Sequence, residues 1–291
     1  MSDLSAAPRL GGLRSFFDRG GFWRLVPLVV VYLAIYLGAG LLASRVFARQ
    51  SEEELLTTVG SVFVDDTFAL IVGAVVLGVF LWAMGWTREI FGPQPIGGSR
   101  WMWLGPILVT IPIVLRGIGP DYGKYGIAVI VLTIVTGLLV GLVEEVLTRG
   151  IAVKMLRDAG HSERVVALVS SLVFAALHSV NLLSGQAVST VGVTMAYTFG
   201  FGVCMYLTMR VTRSIIPAIV LHGLTDPFVL LSTGGIDEVG TNGTQNTLLT
   251  VAGSFSFIII VAGLILVWFV RGRVVERTDV MAAEGIGATQ A

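Results

Sequence analysis

Of the 291 residues, 55% are hydrophobic and only 13% are charged, and the mean hydropathy is +0.86. Soluble domains carry about a quarter charged residues, so these proportions exclude a water-soluble protein and predict an all-α, polytopic membrane helix bundle. The 19 basic and 19 acidic residues cancel, which gives no reason to expect a nucleic-acid partner, and the single cysteine, Cys204, excludes an intrachain disulfide and reads as a small core residue.

Taken in order, the chain opens on a segment, 1–24, that carries Arg9, Arg14, Arg19 and Arg24, with Phe16, Phe17, Phe22 and Trp23 suited to a membrane interface. It lacks a short cleavable apolar region, so the first long apolar run is expected to remain as a signal anchor. Eight apolar runs of about 20 residues, the length a bilayer requires, are read near 25–47, 68–86, 101–115, 126–143 and beyond, 165–183, 189–209, 214–232 and 248–270. The third is short and contains Pro106 and Pro112, but Trp101 and Trp103 at its start suit an interfacial belt.

The loops fit this count. Arg88 and Arg100 follow the second run; Lys154, Arg157 and Arg164 follow the fourth; Arg210 and Arg213 follow the sixth; Arg271, Arg273 and Arg277 follow the eighth. The alternate loops are acidic, neutral or mixed: Glu52, Glu53, Glu54, Asp65 and Asp66 in the first, Arg116, Asp121 and Lys124 after the third, no charge after the fifth, Asp237 and Glu238 in the seventh. Basic residues collect on the cytoplasmic side, so both termini are expected there, and dropping the third span would break the alternation. The chain then divides into a cytoplasmic segment 1–24, a membrane domain 25–270 and a cytoplasmic tail 271–291. The tail is expected to be disordered, and its Ala-Thr-Gln-Ala ending lacks the cysteine that prenylation needs. No sizeable soluble domain is expected.

Ionisable residues inside spans mark function. Away from span ends they are Glu144, Glu145, Arg149, His178, His222 and Asp226; the third histidine, His161, reads as a solvated loop residue. Glu145 and Arg149 lie four apart with the acid first, the favourable order for a helical ion pair. That pairing leaves Glu144 unaccounted for. His178 lies about 15 residues into its span, roughly 20 Å at about 1.5 Å per residue, and His222 about nine beyond Arg213, roughly 14 Å. Glu144 reaches the level of His178 only if its helix continues through Gly150 to Arg157, where Asp158-Ala159-Gly160 supplies a C-terminal glycine stop. Phe174 and His178 share a helix face, as do His222 and Asp226. Asn181, three after His178, extends the polar face or bonds a neighbouring helix. Gly137 and Gly141 form a small-xxx-small pattern that lets a neighbour pack closely beside Glu144.

A carboxylate and two imidazoles at one buried point can activate water, bind a divalent metal or relay protons in a transporter, and spacing leaves these open. There is no HExxH helix, and no Ser or Cys stands out as a nucleophile. The three motifs in this order, Glu144-Glu145-x-x-x-Arg149, Phe174-x-x-x-His178 and His222-x-x-x-Asp226, resemble the CPBP family of intramembrane proteases, which includes the Ras-converting CAAX endopeptidases and the bacterial bacteriocin-immunity (Abi) proteins. The resemblance covers about 125–232, which it marks as a catalytic core. It implies an intramembrane endopeptidase in which Glu144 and His178 activate water while His222 and Asp226 stabilise the oxyanion, with Glu145, Arg149, Phe174 and Asn181 in support. It implies no metal in the reading preferred here; the alternative is Zn²⁺ held by Glu144, His178 and His222. The expected partners are a membrane-associated protein or peptide substrate and the lipid bilayer of the cell membrane, with a membrane partner protein as a further option. Competing functions are a proton-coupled transporter or partner scaffold, and a peptide-immunity protein; no internal repeat of the kind transporters carry is found.

Overall fold

The computed structural model describes residues 8–51, 55–233 and 246–274. Glu52, Glu53, Glu54, Asp237, Glu238, Arg277 and the tail beyond 274 lie outside the described residues. Every described secondary-structure element is a helix. A short helix α1 (Pro8–Asp18) precedes eight that are long and apolar enough to cross a membrane: α2 (Phe22–Val46), α3 (Val59–Met84), α4 (Arg100–Ile118), α5 (Ile127–Asp158), α6 (Glu163–Leu182), α7 (Val188–Thr212), α8 (Ile216–Thr233) and α9 (Thr247–Phe269). The third apolar run is one of them, and the eight match the expected positions.

One boundary and one helix type differ from the sequence reading. The helix expected near 68 begins at Val59, because Thr58 caps it: Ser61 N donates to Thr58 Oγ1 at 3.0 Å, and Thr58 N to Ser61 Oγ at 3.4 Å. Asp65 and Asp66, read as loop acids, therefore sit inside α3, on a π-helical turn, Phe63–Thr67. The helix carrying Glu144 does run on to Asp158, but it changes from α to π over Val146–Ala152 and back to α at Val153. Its stop is the expected one: Gly160 takes φ +75°, and His161 N reaches back to Leu156 O at 3.2 Å.

Packing follows the small residues. Helix α7 runs through the middle of the bundle, with Gly200 through Arg210 buried, Cys204 among them. The glycines of α5 meet α8 backbone to backbone. A Cβ on Gly137 would fall 2.5 Å from Gly223 O, and one on Gly141 2.3 Å from Ile219 O. Pro227 in α8 has no N–H, and its ring fills the space over Gly137. Thr67 Oγ1 and Thr136 Oγ1, 2.7 Å apart, tie α3 to α5.

One end of the bundle is closed by a buried ionic clasp. Arg157 grips Glu163 with Nε and Nη2, both at 2.8 Å, and Arg210 Nη1 reaches Glu163 Oε2 at 2.8 Å, where Tyr206 also donates its hydroxyl. Arg210 Nη2 bonds Gly97 O at 2.7 Å, Arg157 Nη1 bonds Gln94 Oε1 at 2.7 Å, and Glu163 N bonds Gly272 O at 2.9 Å. A buried charge is tolerable when paired and hydrogen-bonded. This clasp fixes α5, α6 and α7 against the 92–100 loop and the end of α9.

Candidate active site

The carboxylates project from the α-helical turn of α5 just before its π segment. The Thr148 hydroxyl donates to Glu144 O at 2.6 Å, within the turn where the helix changes type. Helical irregularities of this kind recur at functional sites. Glu145 points into the protein and is fully buried, whereas the Glu144 side chain keeps 26% of its surface exposed.

His222, from α8, is the centre of the arrangement. Its Nδ1 lies 2.8 Å from Glu145 Oε1, and that same oxygen lies 3.1 Å from Arg149 Nη1. An ionised carboxylate only accepts, so Nδ1 carries the proton and Nε2 points away. Nε2 stands 3.5 Å from Glu144 Oε2 and 3.7 Å from Asp226 Oδ2. Four of the expected residues, Glu144, Glu145, His222 and Asp226, are thus in mutual contact through one imidazole. Arg149 joins them through Glu145, and its guanidinium lies over the Phe174 ring at 4.6 Å.

Phe174 serves as a spacer. Its ring meets the His178 ring edge-on at 5.0 Å and the His222 ring at 5.4 Å, while Phe201 from α7 meets His222 at 4.9 Å. His178 sits where α6 tightens from α- to 3₁₀-helix. Its Nδ1 lies 3.1 Å from Phe174 O; a carbonyl only accepts, so in the neutral ring Nε2 bears the lone pair. Among the described residues His178 forms no ion pair with either glutamate. It meets them by lining the same space.

That space is a cavity of about 60 Å³ bounded by Glu144, His178, His222, Asp226, Tyr197 and Phe201 together with Phe174, Thr198 and Thr225. It is room for a water or a carbonyl group. A larger cavity of about 320 Å³ shares Glu144, His178, Tyr197 and Asp226 with it and extends past Asn181 to Tyr32 and Tyr36 of α2 and Asp66 of α3. Asn181 therefore borders the larger space but not the smaller. The level offset expected between His222 and Glu144 does not keep their side chains apart, which approach to 3.5 Å. Counting rise along helices that enter separately assumes a shared starting level and equal tilt.

Sequence reasoning treated Glu145 only as a partner of Arg149; its second bond, to His222, joins helices 77 positions apart in sequence and has no local signature. Gly202 was also missed. A Cβ there would lie 2.9 Å from Arg149 Nη2, so α7 leaves that position bare to admit the guanidinium. Tyr32, Tyr36 and Asp66 come from helices far from the motifs, and only the fold reveals them.

A resident divalent ion needs several converging donors. Among the described residues no group of three or more His, Cys, Asp or Glu side chains is arranged to hold one. The set Glu144, His178 and His222 expected for Zn²⁺ is not such a group.

Fold and site define a multi-pass, all-α membrane protein with a glutamate–histidine centre inside its bundle. Residues 126–228 match the family model for type II CAAX prenyl endopeptidases, Rce1-like. That agrees with the resemblance of the three motifs to the CPBP/CAAX proteases and supports an intramembrane endopeptidase in general. No curated protein and no solved structure matches the chain.

Proposed function

We propose that the protein is an endopeptidase of the cell membrane that hydrolyses peptide bonds of membrane-associated proteins or peptides without a metal, using a water activated by Glu144 and His178. The observation that carries this reading is the convergence of Glu144, His178, His222 and Asp226 on one small cavity adjoining a larger one. A water in the small cavity gives one proton to the Glu144 carboxylate and a hydrogen bond to the bare Nε2 of His178. Its oxygen forms a bond to the scissile carbonyl carbon, and the π pair of the carbonyl moves onto its oxygen. His222 meets that oxyanion through Nε2–H. Because Nδ1 already gives its proton to Glu145, Nε2–H exists only in the imidazolium, beside the carboxylates of Glu144 and Asp226. Collapse restores the carbonyl and breaks the C–N bond, and Glu144 returns the proton to the leaving nitrogen. Glu145 holds the imidazole ring, and Arg149 balances the charge of Glu145.

The test is cleavage of internally quenched peptides and of a membrane-anchored reporter by purified protein, joined to a proteomic search for uncut substrates in cells carrying Glu144→Ala. General acid–base groups contribute about 10²–10⁴-fold, so Glu144→Ala and His178→Ala are each expected to lose at least that factor. Full activity in both variants would end the protease reading. Activity is expected to survive a strong chelator; its loss, restored by added zinc, would replace the metal-free mechanism.

A further inference from the structure

An oxyanion needs hydrogen-bond donors, and the small cavity offers few. Asp226, when ionised, only accepts. The hydroxyl proton of Thr198 goes to Thr194 O at 2.9 Å and that of Thr225 to Leu221 O at 2.9 Å, so each is committed to its own helix. His178 donates through Nδ1 to Phe174 O, which leaves His222 and one further hydroxyl, that of Tyr197, among the side chains lining the cavity.

Tyr197 comes from α7, one turn before Phe201. The two rings lie 5.9 Å apart, and Phe201 touches the His222 ring at 4.9 Å, so phenol and imidazole are held by one aromatic frame. Tyr197 lines both the small and the large cavity, which puts it where a bound substrate meets the water-activating pair. The Arg116 side chain, from the last turn of α4, and Asp226 are the charged neighbours of the Tyr197 phenol. A guanidinium only donates, so an approach of Arg116 to the phenol oxygen would use a lone pair there and leave the O–H proton to be given away.

We propose that Tyr197 is a catalytic residue, the second oxyanion donor beside His222, and that Arg116 is the positioning residue that aims its hydroxyl. The inference rests on the hydrolytic reading above. As the carbonyl oxygen gains charge, the phenol proton leaves the field of Asp226 for that oxygen, so the bond strengthens in the transition state and not in the ground state. Neither residue belongs to the three motifs, and Arg116 lies outside the segment that matches the family model.

The experiment compares wild type, Tyr197→Phe, Arg116→Gln, the double variant and the inactive reference Glu144→Gln on one quenched peptide. Each protein is first checked for wild-type elution and thermal midpoint in detergent. Losing one oxyanion donor costs about 10²–10³-fold, so Tyr197→Phe is expected to lower kcat by about that factor with KM unchanged. Arg116→Gln is expected to lower kcat less, and to add nothing once Tyr197 is Phe. A second readout is binding of a peptide phosphinate, whose tetrahedral anion mimics the oxyanion: its affinity is expected to fall about 10²-fold in Tyr197→Phe, while that of the parent peptide amide holds. Wild-type kcat and phosphinate affinity in Tyr197→Phe, with Glu144→Gln inactive, would overturn the role of Tyr197 and leave the protease reading standing. No cleavage by the wild type would overturn that reading instead. Phosphinate binding then still decides the role of Tyr197: equal affinity in the two proteins, or none in either, overturns it.

Discussion

Asp226 and asparagine differ by one group at a position where hydrogen-bond direction matters. An ionised Asp226 cannot donate to an oxyanion, whereas an asparagine amide can. In the structure Asp226 faces Nε2 of His222 at 3.7 Å, an acceptor opposite the nitrogen that must carry a proton to stabilise charge. Asp226→Asn therefore separates two roles. If the position serves by hydrogen bonding to substrate, the variant is expected to keep activity within a few-fold. If its negative charge holds the imidazolium, kcat is expected to fall about 10²-fold or more, with a shifted pH profile of kcat as the second reading. At this scale much of the site is legible in the sequence. Ionisable residues are so costly inside apolar helices that each one present is a candidate, and Glu144, His178, His222 and Asp226 all line one cavity. What stayed hidden was pairing across helices. Glu145 turning to His222, and Gly202 making room for Arg149, depend on which helices are neighbours, and local spacing does not encode that.

Among the elements, α5 and α8 form the contact that sets the site. Gly141 lies three residues before Glu144, and Ile219, whose carbonyl it meets, lies three before His222. The approach of the two backbones and the approach of the two side chains are therefore one geometric fact. A methyl group on Gly141 would fall 2.3 Å from Ile219 O and 2.6 Å from Gly223 N, so the helices must part. Displacements of about 1 Å at a catalytic group can cost on the order of 10²-fold in rate, and that loss is expected for Gly141→Ala. Gly38→Ala is the control, since its added methyl meets nothing within 4 Å. Comparing kcat with the thermal midpoint of each detergent-solubilised variant separates displacement from unfolding. The small-xxx-small spacing made the closeness foreseeable. The partner helix was not, because the glycines advertise a gap and not what fills it.

For the whole molecule, hydropathy located all eight long helices because a bilayer imposes length and apolarity together. It placed the start of the second one too late, since Thr58 caps its first turn and the π-helical turn after that carries two aspartates that look like loop. An even number of crossings returns the chain to the side on which it began, and the basic loops argue that this side is the cytoplasm. The lone thiol, Cys204, is buried, so the native protein offers little background to a membrane-impermeant maleimide. Cysteines introduced at Arg88 and Arg273 are expected to label only from the cytoplasmic face, and one at Gln186 only from the other; labelling of Arg88 and Arg273 from opposite faces would break the eight-span arrangement. The π segment Val146–Ala152 has a further consequence for the molecule as a whole. Helix α5 answers to two partners at once, α8 at Glu144 and Glu145 and the ionic clasp at Arg157. An α-helix turns by about 100° per residue, so the two ends are locked in phase, and a helix whose phase is wrong can serve only one of them. The wider turn works as a vernier between them: deleting one residue from it would swing everything beyond by about a quarter of a revolution, and the helix would have to give up either His222 or Glu163.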